Sequence, residues 1–475
     1  MRKQQVFNPY LPSWEYVPDG EPHVFGDRVY VYGSHDFYNG YVFCMGDYVC
    51  WSAPVNNLTE WRYEGVIYKK NADPLNQDET MCLYAPDVTK GADGKYYLYY
   101  VLDKVSIVSV AVCDKPAGKY TFLGYVHDKK GKRLGERPDD QPQFDPAVIT
   151  ENEKTYLYTG FCGMGDKSRK GAMVTVLGPD MMTITEETKI IVPGCEYSKG
   201  SGFEGHDFFE GPSIRKIKDT YYFVYSSIKM HELCYATSKS PDRDFIYRGV
   251  LVSNSDLYID SYKPASQPMA YGANNHGGMV DINGNLYIFY HRHTNGTWFS
   301  RQGCAEKLTM LPDGSITQAE LTSCGLNDKD LVGEGYYPAY IACNLFNEIS
   351  TVYVGNTLEP GCETGIYPKI MQDGCDGMQS LGYIGNMRNY ATAGFKYFDC
   401  ENIREITIIV RGYAKGCFEV RTTWDGEVLA KIPVAYTNVW TRYSAALFIP
   451  NGKQAIYLTY TGDGNASLLG FELKK

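Results

Sequence analysis

The 475 residues predict an all-β protein, a five-bladed β-propeller followed by a β-sandwich. Three observations carry that prediction. A strand pattern recurs five times in the first two thirds of the chain. No long stretch with a helical 3.6-residue period competes with it there. After about Gly325 the texture changes to short alternating strands separated by turn residues.

The recurring pattern is a Gly- or Asp/Lys-led turn followed by alternating aromatic and aliphatic residues. It reads GDRVYVYGS from Gly26, GKYYLYYV from Gly94, EKTYLYTG from Glu153, KDTYYFVYSS from Lys218 and NGNLYIFYHRH from Asn283. The matching positions are Tyr30, Tyr97, Tyr156, Tyr222 and Tyr287, spaced by about 60–67 residues. Period-two alternation marks half-buried strands. A repeat of this length holds about four short strands, the content of one propeller blade. These units assign residues 1–325 to the propeller. Residues 326–475 contain REITIIVRGY, CFEVRTTW, EVLAKIPVAY, TRYSAALFIP, QAIYLTYTG and LLGFELKK, the pattern of a sandwich.

The net charge of -10 argues against nucleic acid or an anionic membrane as partner, and a neutral substrate is expected. No run approaches the ~18 apolar residues of a membrane span. Tyr is abundant at 42 residues, which strand propensity largely explains. The 14 Cys form no CxxC pair and no zinc-finger spacing, and MRKQQVFNPYLP lacks the apolar core of a signal peptide. Reduced thiols and a cytoplasmic location are expected. Oligomeric state is not readable.

A polar residue in a Pro- or Gly-flanked setting precedes each matching Tyr by about 9–12 positions. These are Glu21 in GEPHV, Asp87 in APDVT, Asp145 in FDPAV, Glu210 in FEGPSI and His276 in NHGGMV. The first strand of a blade lines the central channel, so equivalent positions of five blades converge. Four carboxyls and an imidazole are therefore expected around one pocket. Buried carboxyls are costly unless paired or used. Two of them facing a sugar run glycoside hydrolysis, one as proton donor and one as base or nucleophile; a third raises the donor's pKa by like-charge repulsion. No GxSxG, P-loop or HExxH motif is found in the sequence, and no GxGxxG in a βαβ context.

These residues resemble glycoside hydrolase family 43, inverting arabinofuranosidases and xylosidases on a five-bladed propeller, over roughly residues 6–320. NPYLP looks like the family's opening segment. The resemblance implies that Asp87 modulates the acid's pKa and that Glu210 is the general acid. Asp145 is implied as structural or substrate-facing, and His276 as support for a water or a calcium ion, with no cofactor required. YHRH and FSRQG look like the last blade, where Arg301 contacts substrate. The C-terminal part resembles a family-6-type carbohydrate-binding module, a jelly roll, with Trp424, Trp440 and Tyr436 as candidate sugar contacts.

The opening strand departs from the family, which commonly reads DPHVF where this chain reads EPHVF. That register makes Glu21 the expected base, with Asp19 as the alternative. His23, His35, Trp14 and Trp51 are further candidates near the pocket, His23 and Trp51 for substrate, and His206 and Asp207 for its rim. The resemblance implies exo release of a terminal pentosyl residue, α-L-arabinofuranosyl or β-D-xylosyl, from plant-derived oligosaccharides or polysaccharides. A retaining β-fructosidase needs Asn-Asp-Pro where this chain has Gly-Glu-Pro. An exo-galactanase-like enzyme with an altered base and a non-catalytic sugar-binding propeller are the other readings.

Overall fold

The computed structural model describes residues 4–260, 262–348, 367–374 and 379–475. Met1–Lys3 of the opening segment lie outside them. Five four-stranded antiparallel sheets form the blades of a propeller. Blade 1 holds β1 (Glu21–Phe25), β2 (Arg28–Tyr32), β3 (Tyr48–Pro54) and β4 (Arg62–Tyr68). Blade 2 holds β5 (Asp87–Lys90), β6 (Tyr96–Tyr100), β7 (Ser109–Cys113) and β8 (Thr121–Tyr125). Blade 3 holds β9 (Ala147–Glu151), β10 (Lys154–Thr159), β11 (Gly171–Leu177) and β12 (Ile184–Pro193). Blade 4 holds β13 (Phe208–Ile217), β14 (Thr220–Ser227), β15 (Glu232–Ser238) and β16 (Ile246–Ser253). Blade 5 holds β17 (Met279–Ile282), β18 (Asn285–His293), β19 (Arg301–Met310) and β20 (Ile316–Thr317).

The five repeated Tyr strands are β2, β6, β10, β14 and β18, the second strand of each blade. Their two faces pack against the neighbouring blades on either side, which is why both alternating sets are apolar or aromatic. Tyr158, for example, joins a core with Phe208 and Phe223 of blade 4, while Leu157 joins one with Tyr99 of blade 2. The ring closes between blades 5 and 1 through the opening segment. Asn8 Nδ2 donates to the carbonyls of Ala305 and Thr322 and to Glu306 Oε1, and Tyr10 packs against Phe289 and Trp61.

Among the described residues, ten further strands, β21 (Leu331–Val332) to β30 (Gly452–Lys474), form a second sheet-rich region with its own core around Phe395, Phe418 and Phe471. The pattern predicted separate short strands here. Instead REITIIVRGY and CFEVR are one strand, Glu405–Arg421, and QAIYLTYTG and LLGFELK are another, β30. The reason is local. Gly412 and Gly462, at φ +130° and +148°, let the chain bend without breaking its pairing.

The second region is bonded to the propeller. Lys396 Nζ, fully buried, lies 3.0 Å from Asp256 Oδ2 and 3.3 Å from Glu320 Oε2. Arg292 donates to the carbonyls of Tyr340 and Ala342. Of the three aromatic candidates there, Trp424 packs against the cluster of Met269, Phe346 and Tyr457 between the two regions. Trp440 lies under the Arg411 guanidinium at 4.2 Å, and Tyr436 is exposed beside Tyr413. Among the described residues no helix is long and apolar enough to cross a membrane.

Candidate active site

Pairing of the first two strands of each blade sets levels along the channel. The aligned Tyr residues face His23, Thr89, Ile149, Arg215 and Val280, the lowest level. Two residues earlier come Glu21, Asp87, Ala147 and Ser213, each opposite the residue two beyond its blade's Tyr, and Gly278, whose carbonyl accepts from Phe289 N. Two residues earlier again come Asp19, Ala85, Asp145, Gly211 and His276. The bridge between Gly20 and Gly277 locks blades 1 and 5 at matching height. A Cβ on Gly278 would meet Glu21 Oε2 at 2.4 Å and Ser213 Oγ at 2.8 Å; one on Gly211 would meet the His276 ring at 2.9 Å. Asp19, Asp145 and Gly211 share left-handed backbone, φ 56°, 44° and 65°. Two non-glycine residues held in that region at equivalent positions mark a place that the fold over-determines.

The expected convergence of five polar residues on one pocket is thereby corrected. Residues two apart on a strand point the same way but differ in depth by about 7 Å. Asp19, Asp145, Glu210, His276 and Arg301 line one cavity of about 330 Å³. Glu21, His23 and Asp87 lie below it. Glu21, whose side chain is 2% exposed, accepts from Arg215 Nη2 at 2.7 Å and Ser213 Oγ at 3.0 Å. Asp87 accepts from the amides of Val88 and Val148, and its Oδ1 lies 2.6 Å from His23 Nε2. It joins blade 2 to blade 3. Trp51 is also not at the pocket; it donates to Glu15 Oε2 and packs on Tyr63 in blade 1. His35 is bound to the same Glu15, and His206 to Glu232.

Glu210 reaches the cavity through a bulge. Glu210 pairs with Ser226 and Ser213 with Val224, so β13 spends three residue steps where β14 spends two. The extra residue turns Glu210 to the upper level beside Gly211. Arg301, at the start of β19, donates from Nη1 to Asp19 Oδ1 at 2.7 Å and grips Asp36 with Nε and Nη2. His291 Nδ1 lies 3.3 Å from Asp19 Oδ1, and His276 Nδ1 lies 3.8 Å from Asp19 and 3.7 Å from Asp145.

The electrostatics divide the carboxyls. Burial pushes Asp19 up, but Arg301, with His291 and His276, outweighs it and holds Asp19 well below the usual carboxylate range. Burial and then the Asp19 charge raise Glu210 to about 8, against the pull of Arg301. Burial, Glu210 and Asp19 also raise Asp145, so the two acids compete for a proton. Burial lowers His276 to about 4, leaving it neutral near pH 7. One ionised and one protonated carboxyl therefore face the same cavity.

A stability consequence follows from the sign of the Glu210 shift. Its folded value lies above the unfolded 4.5, so its favourable contribution is complete below pH 4.5 and lost as pH rises to about 8. Glu210→Gln is expected to leave Tm unchanged below pH 4.5 and to raise it by a growing margin up to about pH 8. Thermal melts across that range check it.

Sequence reasoning missed the cavity's apolar wall. Tyr84, Phe144, Phe161 and Phe209 touch in a chain, with ring centroids 5.4, 5.4 and 5.1 Å apart, and Phe43 and Trp298 complete it. A signal was present: Tyr84, Phe144 and Phe209 each stand directly before Ala85, Asp145 and Glu210. Asn274 was also missed. Its Oδ1 lies 2.7 Å from His293 Nε2, which leaves its amide protons for the cavity. His293 packs edge-on against Tyr271, and Tyr271 stacks on Tyr367 of the second region.

The sequence matches the family model of glycosyl hydrolases family 43 over residues 17–316. A xylosidase/arabinosidase of Thermoclostridium stercorarium is 67% identical over 473 residues, covering 100% of this chain and 99% of that one. The chain belongs to glycosyl hydrolases family 43. As a member it is a glycoside hydrolase. A xylosidase/arabinosidase of Bacteroides ovatus is 29% identical over 59% of this family 43 chain and 87% of its own. Among solved structures, a family 43 β-xylosidase/α-arabinofuranosidase from a compost microbial metagenome, in complex with xylotriose in a calcium-free form, shares 28% identity. It covers 65% of this chain and 96% of its own, with a TM-score of 0.51. A family 43 arabinoxylan arabinofuranohydrolase from Bacillus subtilis, in complex with cellotetraose, covers 98% of this chain and 97% of its own. At 21% identity and a TM-score of 0.52 it is a likeness of fold.

Proposed function

We propose that this chain is an exo-acting, inverting hydrolase that releases single terminal pentosyl residues, α-L-arabinofuranosyl or β-D-xylosyl, from plant-derived oligosaccharides. The base is Asp19, the alternative to Glu21. The acid is Glu210, and Asp145 in place of Asp87 sets its protonation. The observation that carries this reading is the pairing of an ionised Asp19 with a Glu210 raised to about 8 across one cavity. Asp19 takes the proton of an incoming water, Glu210 gives its proton to the departing oxygen, and no covalent sugar intermediate is needed. Arg301 keeps Asp19 unprotonated between turnovers. The levels below are filled by Glu21, Ser213 and Arg215, which supports a blind pocket and exo action. An acid at the base position also removes the reason for the altered-base and non-catalytic readings.

A protein-built calcium cage at His276 does not fit these residues. Calcium takes six to eight oxygens. Of the two carboxyls near His276, Asp19 is engaged by Arg301 and Asp145 by the Gly211 amide. The second region acts through the Tyr367–Tyr271–His293–Asn274 line rather than through Trp424 or Trp440. Tyr367→Ala is expected to raise KM several-fold with kcat nearly unchanged, whereas Trp440→Ala leaves both alone. The twelve described cysteines are free thiols, which suits the reducing cytoplasm.

The test is a panel of aryl glycosides, α-L-arabinofuranoside, β-D-xyloside, β-D-galactoside and β-D-fructofuranoside, with the first-formed anomer followed by NMR. Release of pentose with inverted configuration is expected. A retained anomer would overturn the mechanism, and turnover of the galactoside or fructoside alone would overturn the substrate class.

A further inference from the structure

The geometry points to a transition-metal site at the edge of blade 4, outside the sugar pocket, built from His206, Glu232 and Cys234 and suited to Zn²⁺. Cys234 Sγ lies 3.4 Å from Glu232 Oε1 and 3.7 Å from His206 Nδ1, and His206 Nδ1 lies 2.7 Å from Glu232 Oε1. A tetrahedral zinc with bonds of about 2.0–2.3 Å sets its ligand atoms roughly 3.3–3.6 Å apart. The sulfur–oxygen edge, 3.4 Å, already has that length, and the sulfur–nitrogen edge, 3.7 Å, exceeds it by about 0.1 Å. The nitrogen–oxygen edge has to open by about half an ångström, as a hydrogen bond gives way to two metal bonds.

Further features point to a ligand rather than to a plain ion pair. The Glu232 side chain is fully buried, and its Oε2 makes no close hydrogen bond, standing beside the Tyr258 hydroxyl and the Lys229 ammonium. Tyr247 stacks on the His206 ring at 4.9 Å, and Tyr225 Oη donates to the His206 carbonyl, so the imidazole is held in place. The His206 side chain is 26% exposed, which gives an ion a path in and a water a fourth position. One nitrogen, one oxygen and one sulfur donor favour zinc, cobalt or copper over calcium and magnesium. Lys229 Nζ stands 3.9 Å from Glu232 Oε2 and has to swing to solvent on loading. Binding forms the metal–sulfur bond and releases the thiol proton to water.

The site has a route to the pocket. Ser227 Oγ donates to Glu232 Oε1 at 2.5 Å, and the turn they bracket carries Met230 into the cavity wall. Loading is therefore expected to shift KM. The site itself rests on none of the roles assigned in the pocket.

The test uses the full chain, stripped with a chelator and titrated with Co²⁺. One Co²⁺ per chain is expected, with a sulfur-to-cobalt charge-transfer band in the near ultraviolet that Zn²⁺ removes. Cys234→Ser should lose the band, and His206→Ala should weaken binding at least about tenfold. His206 is partly exposed, so its variant keeps the test open if Cys234→Ser does not fold. No band in the wild type at millimolar Co²⁺, a band that persists in Cys234→Ser, or unchanged affinity in His206→Ala would each overturn the site.

Discussion

Asp19→Asn is expected to lower kcat by about 10²–10⁴-fold on every glycoside the protein hydrolyses, while Glu21→Gln keeps it within about tenfold. Asparagine still accepts from Arg301 but cannot take a proton from water. Because the missing step is on the water side, the loss should not depend on the leaving group. Azide needs no deprotonation, so it should restore turnover of Asp19→Asn and form an inverted glycosyl azide. Burial raises Glu21 to about 8 against the pull of Arg215, and Glu21→Gln keeps an oxygen to which Arg215 and Ser213 can donate, so its effect should appear in stability rather than in chemistry. Thermal melts and aryl-glycoside kinetics on both variants separate the two acids. The opposite pattern, chemistry lost in Glu21→Gln and kept in Asp19→Asn, would sink the assignment of the base.

Glu210→Gln should cost about 10²–10⁴-fold on an alkyl leaving group and far less on an activated phenol, because a good phenolate departs without a proton. Asp145→Asn acts on the same proton from the other side. It removes the carboxyl that competes with Glu210 for a proton, and with that coupling gone Glu210 should lose its proton at lower pH. The upper limb of the kcat/KM profile is then expected to move in the acid direction from about 8, with the lower limb unmoved because Arg301 still holds Asp19. An upper limb that stays in place in Asp145→Asn would show that Asp145 does not tune the acid.

The blades were legible because the Tyr strands are short, alternating and bounded by turns, and each proved to be the second strand of its blade. The depth of the acids was not. Period-two alternation tells which face a side chain takes, and Asp19 and Glu21 take the same one. Their levels follow from pairing, which depends on turn length. Two residues join β1 to β2, but five, Gly91–Lys95, join β5 to β6. A window of 9–12 residues spans that variation and so mixed Glu21 and Asp87 with Asp145 and His276. The bulge at Glu210 breaks the count again. Glu210 and Asp145 were nonetheless singled out, because each stands beside a Pro or Gly in the first strand of its blade or just ahead of it. Asn274 comes from a loop with no repeat to reveal it, whereas Tyr84, Phe144 and Phe209 of the aromatic wall keep a fixed place, directly before the repeated positions. In the second region, glycines that read as turns are bends within Glu405–Arg421 and β30.

The upper level has five places, and only four polar side chains serve it. Asp19, Asp145 and His276 occupy three, Glu210 is delivered by the bulge at the fourth, and blade 2 presents Ala85. A symmetric ring of five functional groups would leave no room for a guest. The methyl group at residue 85 leaves one side of the ring open, which gives the cavity a definite orientation. On the proposed mechanism, a sugar held against that side would have Glu210, Asp19 and Asp145 on its other sides. Residue 85 is then the position at which the size of the accepted ring can be edited without touching any group that handles a proton.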